Sequence, residues 1–184
     1  MRESPELLNS QAIEFASHGQ YREAIACFKR ALEIEKTNYL LWFNLGLTYR
    51  DNGDLALAKD ALEKAHTIAE DDDEVIEMLA LVCFNTGSLD EALQYCAAGL
   101  TLNPTNAHIW NTMGVVYFNQ AEYDLACEAF EHAITINSYY YDALYNLRDT
   151  YEELGNKAGV EMCNRQMRNI SMSGNVEVPG SANA

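Results

Sequence analysis

Residues 39–72 read YLLWFNLGLTYRDNGDLALAKDALEKAHTIAEDD, and residues 107–140 read AHIWNTMGVVYFNQAEYDLACEAFEHAITINSYY. Laid over one another, they align Trp42 with Trp110, Gly46 with Gly114, Tyr49 with Tyr117, Ala58 with Ala126 and Ala65 with Ala133. Within each stretch apolar residues recur at i, i+3, i+4 and i+7, the period of one helix face, and strand-like alternation is absent. Each is interrupted once, at Asn52-Gly53-Asp54 or Gln120-Ala121-Glu122, clusters that stop one helix and start another. The unit is therefore two helices joined by a tight turn.

The same punctuation extends in both directions. His18-Gly19-Gln20, Thr86-Gly87-Ser88 and Leu154-Gly155-Asn156 complete a series centred on 19, 53, 87, 121 and 155, each 34 residues after the last. Only Pro5, Pro104 and Pro179 occur, so helices are rarely forced to end. A fixed period of this length in an all-helical chain is the mark of a repeat array.

The joint pattern resembles the tetratricopeptide repeat family. Trp42-x2-Leu45-Gly46-x2-Tyr49 followed by Ala58, Leu62 and Ala65 carries the resemblance, as does Trp110-x2-Met113-Gly114-x2-Tyr117 followed by Ala126, Phe130 and Ala133. Residues 5–38 match more loosely through Leu8, Ala12, Phe15, Gly19, Ala24, Phe28 and Ala31. Residues 73–106 match through Ile76, Leu79, Ala80, Cys83, Gly87, Ala92, Cys96, Gly99 and Pro104. The fifth unit keeps Leu144, Leu147, Tyr151 and Gly155, but Arg148 stands where a small residue is expected, and Val160, Asn164 and Met167 take the Ala/Phe/Ala places. The resemblance implies an all-α, right-handed α-solenoid of about ten helices in five units, 5–38, 39–72, 73–106, 107–140 and a capping unit 141–170. Residues 171–184 lack helical period and read as a flexible tail.

The packing logic agrees. A small residue on each first helix (Ala12, Gly46, Ala80, Gly114) faces one on the second (Ala24, Ala58, Ala92, Ala126), which lets the two axes approach. One helix pair cannot bury its apolar face alone, so units stack and the array needs a polar end. Lys157, Glu161, Asn164, Arg165 and Arg168 suit the last helix to that end.

Hydrophobic residues make up 48% of the 184 and charged residues 22%, enough apolar material for a core. Acidic residues outnumber basic ones 28 to 12, a formal charge of −16, which disfavours nucleic acid and anionic membrane surfaces as partners. Between Lys64 and Arg148 there is no lysine or arginine, only carboxylates, from Glu70 to Asp142. This reads either as a solvated acidic surface or as a surface for a basic partner. No stretch is long and apolar enough to span a membrane. Glu3 and Glu6 stand where a secretory leader would be positive, and five cysteines without a CxxC pair suit a reducing compartment. The expected location is cytoplasmic, or periplasmic if a leader has been removed.

Several groups invite chemistry and lack its pattern. The run Glu70 to Glu74 has no calcium-loop spacing; Asp71 to Asp73 suit helix N-capping, with Glu74 and Glu77 at the positive helix end. His18, His66, His108 and His132 share no ligand spacing, so no metal is expected. Cys83 and Cys96 take the Tyr and Phe places of the third unit, where buried inert thiols are the simplest reading. No nucleophile–base–acid order and no phosphate-cradling loop occurs. The chain reads as a non-enzyme without cofactor.

The family resemblance implies that first helices line a concave groove through positions 2, 5, 9, 12 and 13 of each unit. Here that selects Phe43, Leu47 and Arg50 in the second unit, and Leu81, Phe84 and Asn85 in the third. It also selects Asn111, Val115, Phe118 and Asn119 in the fourth and Tyr145 in the fifth. The asparagine amides can donate to and accept from a peptide backbone, while the aromatic residues receive side chains. The expected partner is a protein or peptide segment, apolar with basic flanks. The basic residues with which co-chaperones of this family grip a C-terminal carboxylate are missing, since Glu74 or Asp142 falls where Lys is needed. The alternatives are a self-associating scaffold or secretion-type chaperone using the convex face or array ends, and an adaptor domain of a larger protein.

Overall fold

The structure, a computed structural model, describes residues 4–172. Its helices are α1 (Pro5–Ser17), α2 (Tyr21–Ile34), α3 (Tyr39–Asp51), α4 (Leu55–Ile68), α5 (Asp73–Asn85), α6 (Leu89–Leu102), α7 (Ala107–Asn119), α8 (Tyr123–Ile136), α9 (Tyr141–Glu153) and α10 (Lys157–Met172). No strand occurs among the described residues. The described residues fall into two compact units, 4–104 and 105–172, which hold α1–α6 and α7–α10 respectively.

Each turn inside a helix pair is built alike. Gly19, Gly53, Gly87 and Gly155 have φ between 68° and 86°, and Ala121 adopts 61° at the equivalent place. The amide after each turn residue donates back across five residues, as in Asp54 N–H to the Tyr49 carbonyl (2.9 Å) and Glu122 N–H to the Tyr117 carbonyl (3.0 Å). This is the Schellman closure, which requires a left-handed residue and therefore favours glycine. Ala121 makes the same closure with a Cβ.

First helices begin on a second series of the same period. The side chains of Ser4, Asn38, Asp72 and Asn106 accept from the amides of Leu7, Leu41, Val75 and Ile109 at 3.1–3.4 Å. The acidic run therefore supplies a cap through Asp72. In the fifth pair the cap residue is Tyr140, whose side chain makes no such bond.

In residues 4–104, Leu8, Phe28, Leu45, Leu62, Val75 and Leu79 form the core, together with alanines along the second helices. Neighbouring first helices touch, α1 with α3 and α3 with α5, whereas α2, α4 and α6 do not reach one another. The first-helix row is thus the closely packed side of this unit, and gaps open between the second helices. A Cβ on Gly46 would lie 2.7 Å from Leu62 Cγ. The close approach inferred for α3 and α4 is real.

In residues 105–172, Phe130, Leu144, Leu147, Tyr151, Cys163, Met167 and Ile170 form the core. Gly114 lies against Phe130 as Gly46 does against Leu62, with 2.6 Å from its would-be Cβ to the ring. The last pair departs from the repeat. Its buried α10 positions are Gly159, Cys163, Met167 and Ile170. Met167 is inward as the motif alignment suggests and Cys163 takes the place of Ala61 in α4, while Gly159 and Ile170 are buried where Val160 and Asn164 were expected. Arg148 occupies the small-residue place on α9. The close contact moves instead to Gly159, whose would-be Cβ lies 2.5 Å from the Tyr151 ring. Helix α10 extends through Met172, taking Ser171 and Met172 out of the tail inferred from sequence; the remainder of that tail, 173–184, lies outside the described residues.

Candidate peptide-binding groove

Helix periodicity brings positions 2, 5, 9, 12 and 13 of a first helix to one face, and the structure presents that face in each unit. In residues 4–104 it carries Phe43, Leu47 and Arg50 on α3 and Leu81, Phe84 and Asn85 on α5. Phe43 packs by one side on the core and, like Leu47, Leu81 and Phe84, keeps the other side half-open to solvent. Arg50 donates from Nε to Asp51 Oδ1 at 2.8 Å, and its Nη1 lies 3.0 Å from Met78 Sδ on the next first helix. Its charge is thereby answered before any ligand arrives. Asn85 is exposed at the end of α5, and its side chain makes no hydrogen bond among the described residues.

In residues 105–172 the face carries Asn111, Val115, Phe118 and Asn119 on α7 and Tyr145 on α9. Val115 and Phe118 border a small cavity of about 60 Å³ with Phe130, Asn146 and Asp149. Phe118 is half-buried, edge-on to Tyr123 with ring centroids 5.4 Å apart. Tyr145 is 45% exposed, but the Arg148 guanidinium covers one face of its ring at 4.1 Å. Arg148 is held there by Asp149, with Nη2 to Oδ1 at 2.6 Å.

The asparagines divide into three kinds. Asn111 Oδ1 already accepts from Asn146 Nδ2 at 3.0 Å, and Asn119 Nδ2 donates to the Val115 carbonyl of its own helix at 3.0 Å. Only Asn85 offers both halves of its amide. An equivalent pair not picked out in the sequence reading, Asn44 Nδ2 to Asn9 Oδ1 at 3.3 Å, joins α1 to α3. Both pairs are 35 residues apart, one more than the repeat, and that spacing was the available signal. Such side-chain pairs fix the register of one first helix on the next.

The thiols of Cys83, Cys96 and Cys127 are inert by environment. Burial pushes Cys83 up to about 11 and Cys96 to about 12, so neither is ionised near neutral pH. Burial likewise pushes Cys127 to about 12, helped by its contact with Glu131 Oε1 at 3.3 Å. The same carboxylate oxygen accepts from Tyr151 OH at 2.6 Å. His108 and His132 are drawn to aromatic rings, His132 stacked on Trp110 at 4.3 Å and His108 bonded by Nδ1 to Tyr140 OH at 3.0 Å. No group of three or more His, Cys, Asp or Glu among the described residues is arranged to hold a metal.

Known proteins agree with this architecture. Profiles described as TPR repeat match residues 14–53, and profiles described as tetratricopeptide repeat match 49–116 and 107–140. Among curated relatives, the probable UDP-N-acetylglucosamine–peptide N-acetylglucosaminyltransferase SPINDLY of Hordeum vulgare is 28% identical over 61% of this chain and 13% of its own length. The anaphase-promoting complex subunit cut9 of Schizosaccharomyces pombe is 23% identical over 69% of this chain and 20% of its own. The TPR repeat-containing protein MJ1428 of Methanocaldococcus jannaschii is 23% identical over 80% of this chain and 33% of its own. The chain thus spans a third or less of the length of these relatives. Among solved structures, MamA 41-end of Desulfovibrio magneticus superposes with a TM-score of 0.83 at 15% identity, covering 96% of this chain and 99% of that one. PilF of Pseudomonas aeruginosa superposes with a TM-score of 0.81 at 16% identity, covering 90% and 75%. With its turns, close contacts and repeat spacing in register with these matches, the chain belongs to the tetratricopeptide repeat family.

Proposed function

We propose that this chain is a non-catalytic protein-interaction scaffold that takes an extended peptide segment along its first helices. The observation that carries the reading is the face of α3 and α5. Phe43, Leu47, Leu81 and Phe84 are held half-open there, beside an Asn85 amide with neither half engaged. Half-open apolar side chains on a rigid face favour desolvation by a partner, and a free amide answers a peptide backbone. Asp51, Glu74 and Glu77 on the same two helices favour lysine or arginine beside the apolar anchors. The glycosyltransferase activity named for SPINDLY is not proposed for this chain, which matches 13% of that protein.

The test is titration of apolar peptides with basic flanks into the wild type and the Phe84→Ala and Asn85→Ala variants. Unpairing one backbone group in a partly dry groove costs about 1–3 kcal/mol, so Asn85→Ala weakens binding at least several-fold while the melting temperature holds. Unchanged affinity in both variants would move the binding surface off this face.

A further inference from the structure

We propose that the second-helix side of residues 4–104 carries a separate docking pocket for an acidic partner segment with an apolar anchor. The backbones of α2 and α4 stay apart, and a cavity of about 420 Å³, lined by both helices and by α3, opens between them. Its floor is buried Leu32, Leu45 and Ala61, and its walls are Trp42 and Tyr49 of α3. Leu57 stands at its border 46% exposed, a large apolar side chain with no covering element.

The rim is cationic in a chain of net charge −16. Three of the five lysines, Lys29, Lys36 and Lys64, line this one cavity, against the two carboxylates Glu33 and Asp60. None of these three lysines is ion-paired among the described residues, in contrast to Arg50, Lys59 and Arg148. Instead Lys64 Nζ sits 4.4 Å over the Trp42 ring and Lys29 Nζ 5.7 Å over Tyr49. Trp42 is fixed in turn by donating from Nε1 to the Lys36 carbonyl at 2.8 Å. Aromatic faces thus hold ammonium groups around an apolar hollow while carboxylates outnumber cations more than twofold elsewhere.

A leucine or phenylalanine side chain fits the hollow, and aspartate or glutamate on either side of it meets the lysines. The same chemistry turns away the basic segment proposed for the first-helix face. Two faces of one small unit would then sort partners by the sign of their charge, which is what a bridging scaffold needs.

The experiment uses Trp42 as its own reporter, in the full chain with Trp110→Phe so that one indole remains. A synthetic peptide of sequence Asp-Glu-Leu-Phe-Asp-Glu is titrated in, alongside Lys-Lys-Leu-Phe-Lys-Lys and the Asn-Gln analogue without charge. The acidic peptide should shift indole fluorescence saturably, and high salt should weaken it, while the other two leave it unchanged. Replacing Lys29, Lys36 and Lys64 by Gln should weaken the acidic peptide about tenfold, since exposed charge pairs contribute little singly, and Leu57→Asp should abolish binding, with circular dichroism and melting unchanged. Phe84→Ala and Asn85→Ala should leave it intact, which separates this site from the first-helix face. The proposal is overturned if the basic peptide shifts Trp42 equally, or if the triple Gln variant binds the acidic peptide as wild type does. It is also overturned if light scattering shows a dimer that dissociates in Leu57→Asp while no peptide binds, because the occupant is then a second copy.

Discussion

The pairs α3–α4 and α9–α10 solve one packing problem in two ways. In the first, glycine on the first helix admits a large residue from the second, Gly46 beneath Leu62. In the second, arginine occupies the glycine's place, and the glycine is supplied from the other helix, Gly159 beneath Tyr151. The interaxial approach survives, and α10 buries Gly159 and Ile170 in place of Val160 and Asn164 while Cys163 and Met167 keep the repeat's inward places. What the fold requires is a small residue somewhere in the contact. The motif position is one way of providing it.

The comparison breaks most sharply at the two glycines. Leu62 can yield by rotating its end, whereas the Tyr151 ring is pinned by its hydrogen bond to Glu131 at 2.6 Å. A helical alanine gains up to about 1 kcal/mol over glycine, against overpacking of about 1–3 kcal/mol. Gly159→Ala should therefore lose about 2 kcal/mol net and Gly46→Ala no more than half that, read by urea denaturation; equal losses would mean that Tyr151 moves as freely as Leu62.

Turn and cap differences come next in size. Ala121 holds φ 61° where Gly53 holds 86°, so Ala121→Gly should gain about 1 kcal/mol and Gly53→Ala should lose about as much. Asn38→Ala removes the α3 cap and should cost about 1 kcal/mol. Tyr140 offers no cap to lose, so Tyr140→Asn tests whether a restored cap outweighs its bond to His108, and thermal melting ranks the two.

The smaller effects sharpen the register of α10. Asn164→Phe, which restores the motif's large residue, should add no stability because position 164 faces partly outward. Cys163 sits in the core instead, where burial raises its thiol from 9.0 to about 11. The folded chain then keeps a proton that the unfolded chain releases, so this contribution is whole below about pH 9 and fades as pH rises through 11. Cys163→Ala should flatten that alkaline limb. Thiol labelling at neutral pH should reach half-exposed Cys27 well before Cys83, Cys96 or Cys163.

The helix pairs and their turns were legible because a left-handed turn residue leaves a chemical signature, glycine in four places of five. The cap series Ser4, Asn38, Asp72 and Asn106 carried the same period and was recognised from sequence only around Asp72, since three different residue types perform one bond. The exchange of Val160 and Asn164 for Gly159 and Ile170 on α10 was hidden: a motif aligns positions, while burial depends on which neighbour, Arg148 or Gly159, leaves room. First-helix faces follow from helical period, so Leu81, Phe84 and Val115 could be placed on them. The state of each amide could not, because Asn111 and Asn119 are spent on Asn146 and the Val115 carbonyl, partners that only three dimensions bring close. The lysine-rimmed pocket was equally hidden, its cations coming from α2, from the connection between α2 and α3, and from α4.

Because within each of the two units a helix packs chiefly on its neighbours in the chain, joined by turns as short as residues 18–20 and 52–54, its contacts close only small loops of chain. Low contact order places such a chain among fast folders, with loop-closure entropy a minor barrier. A helix pair can form as it is synthesised and wait for the next, so the order of emergence is also a workable order of assembly.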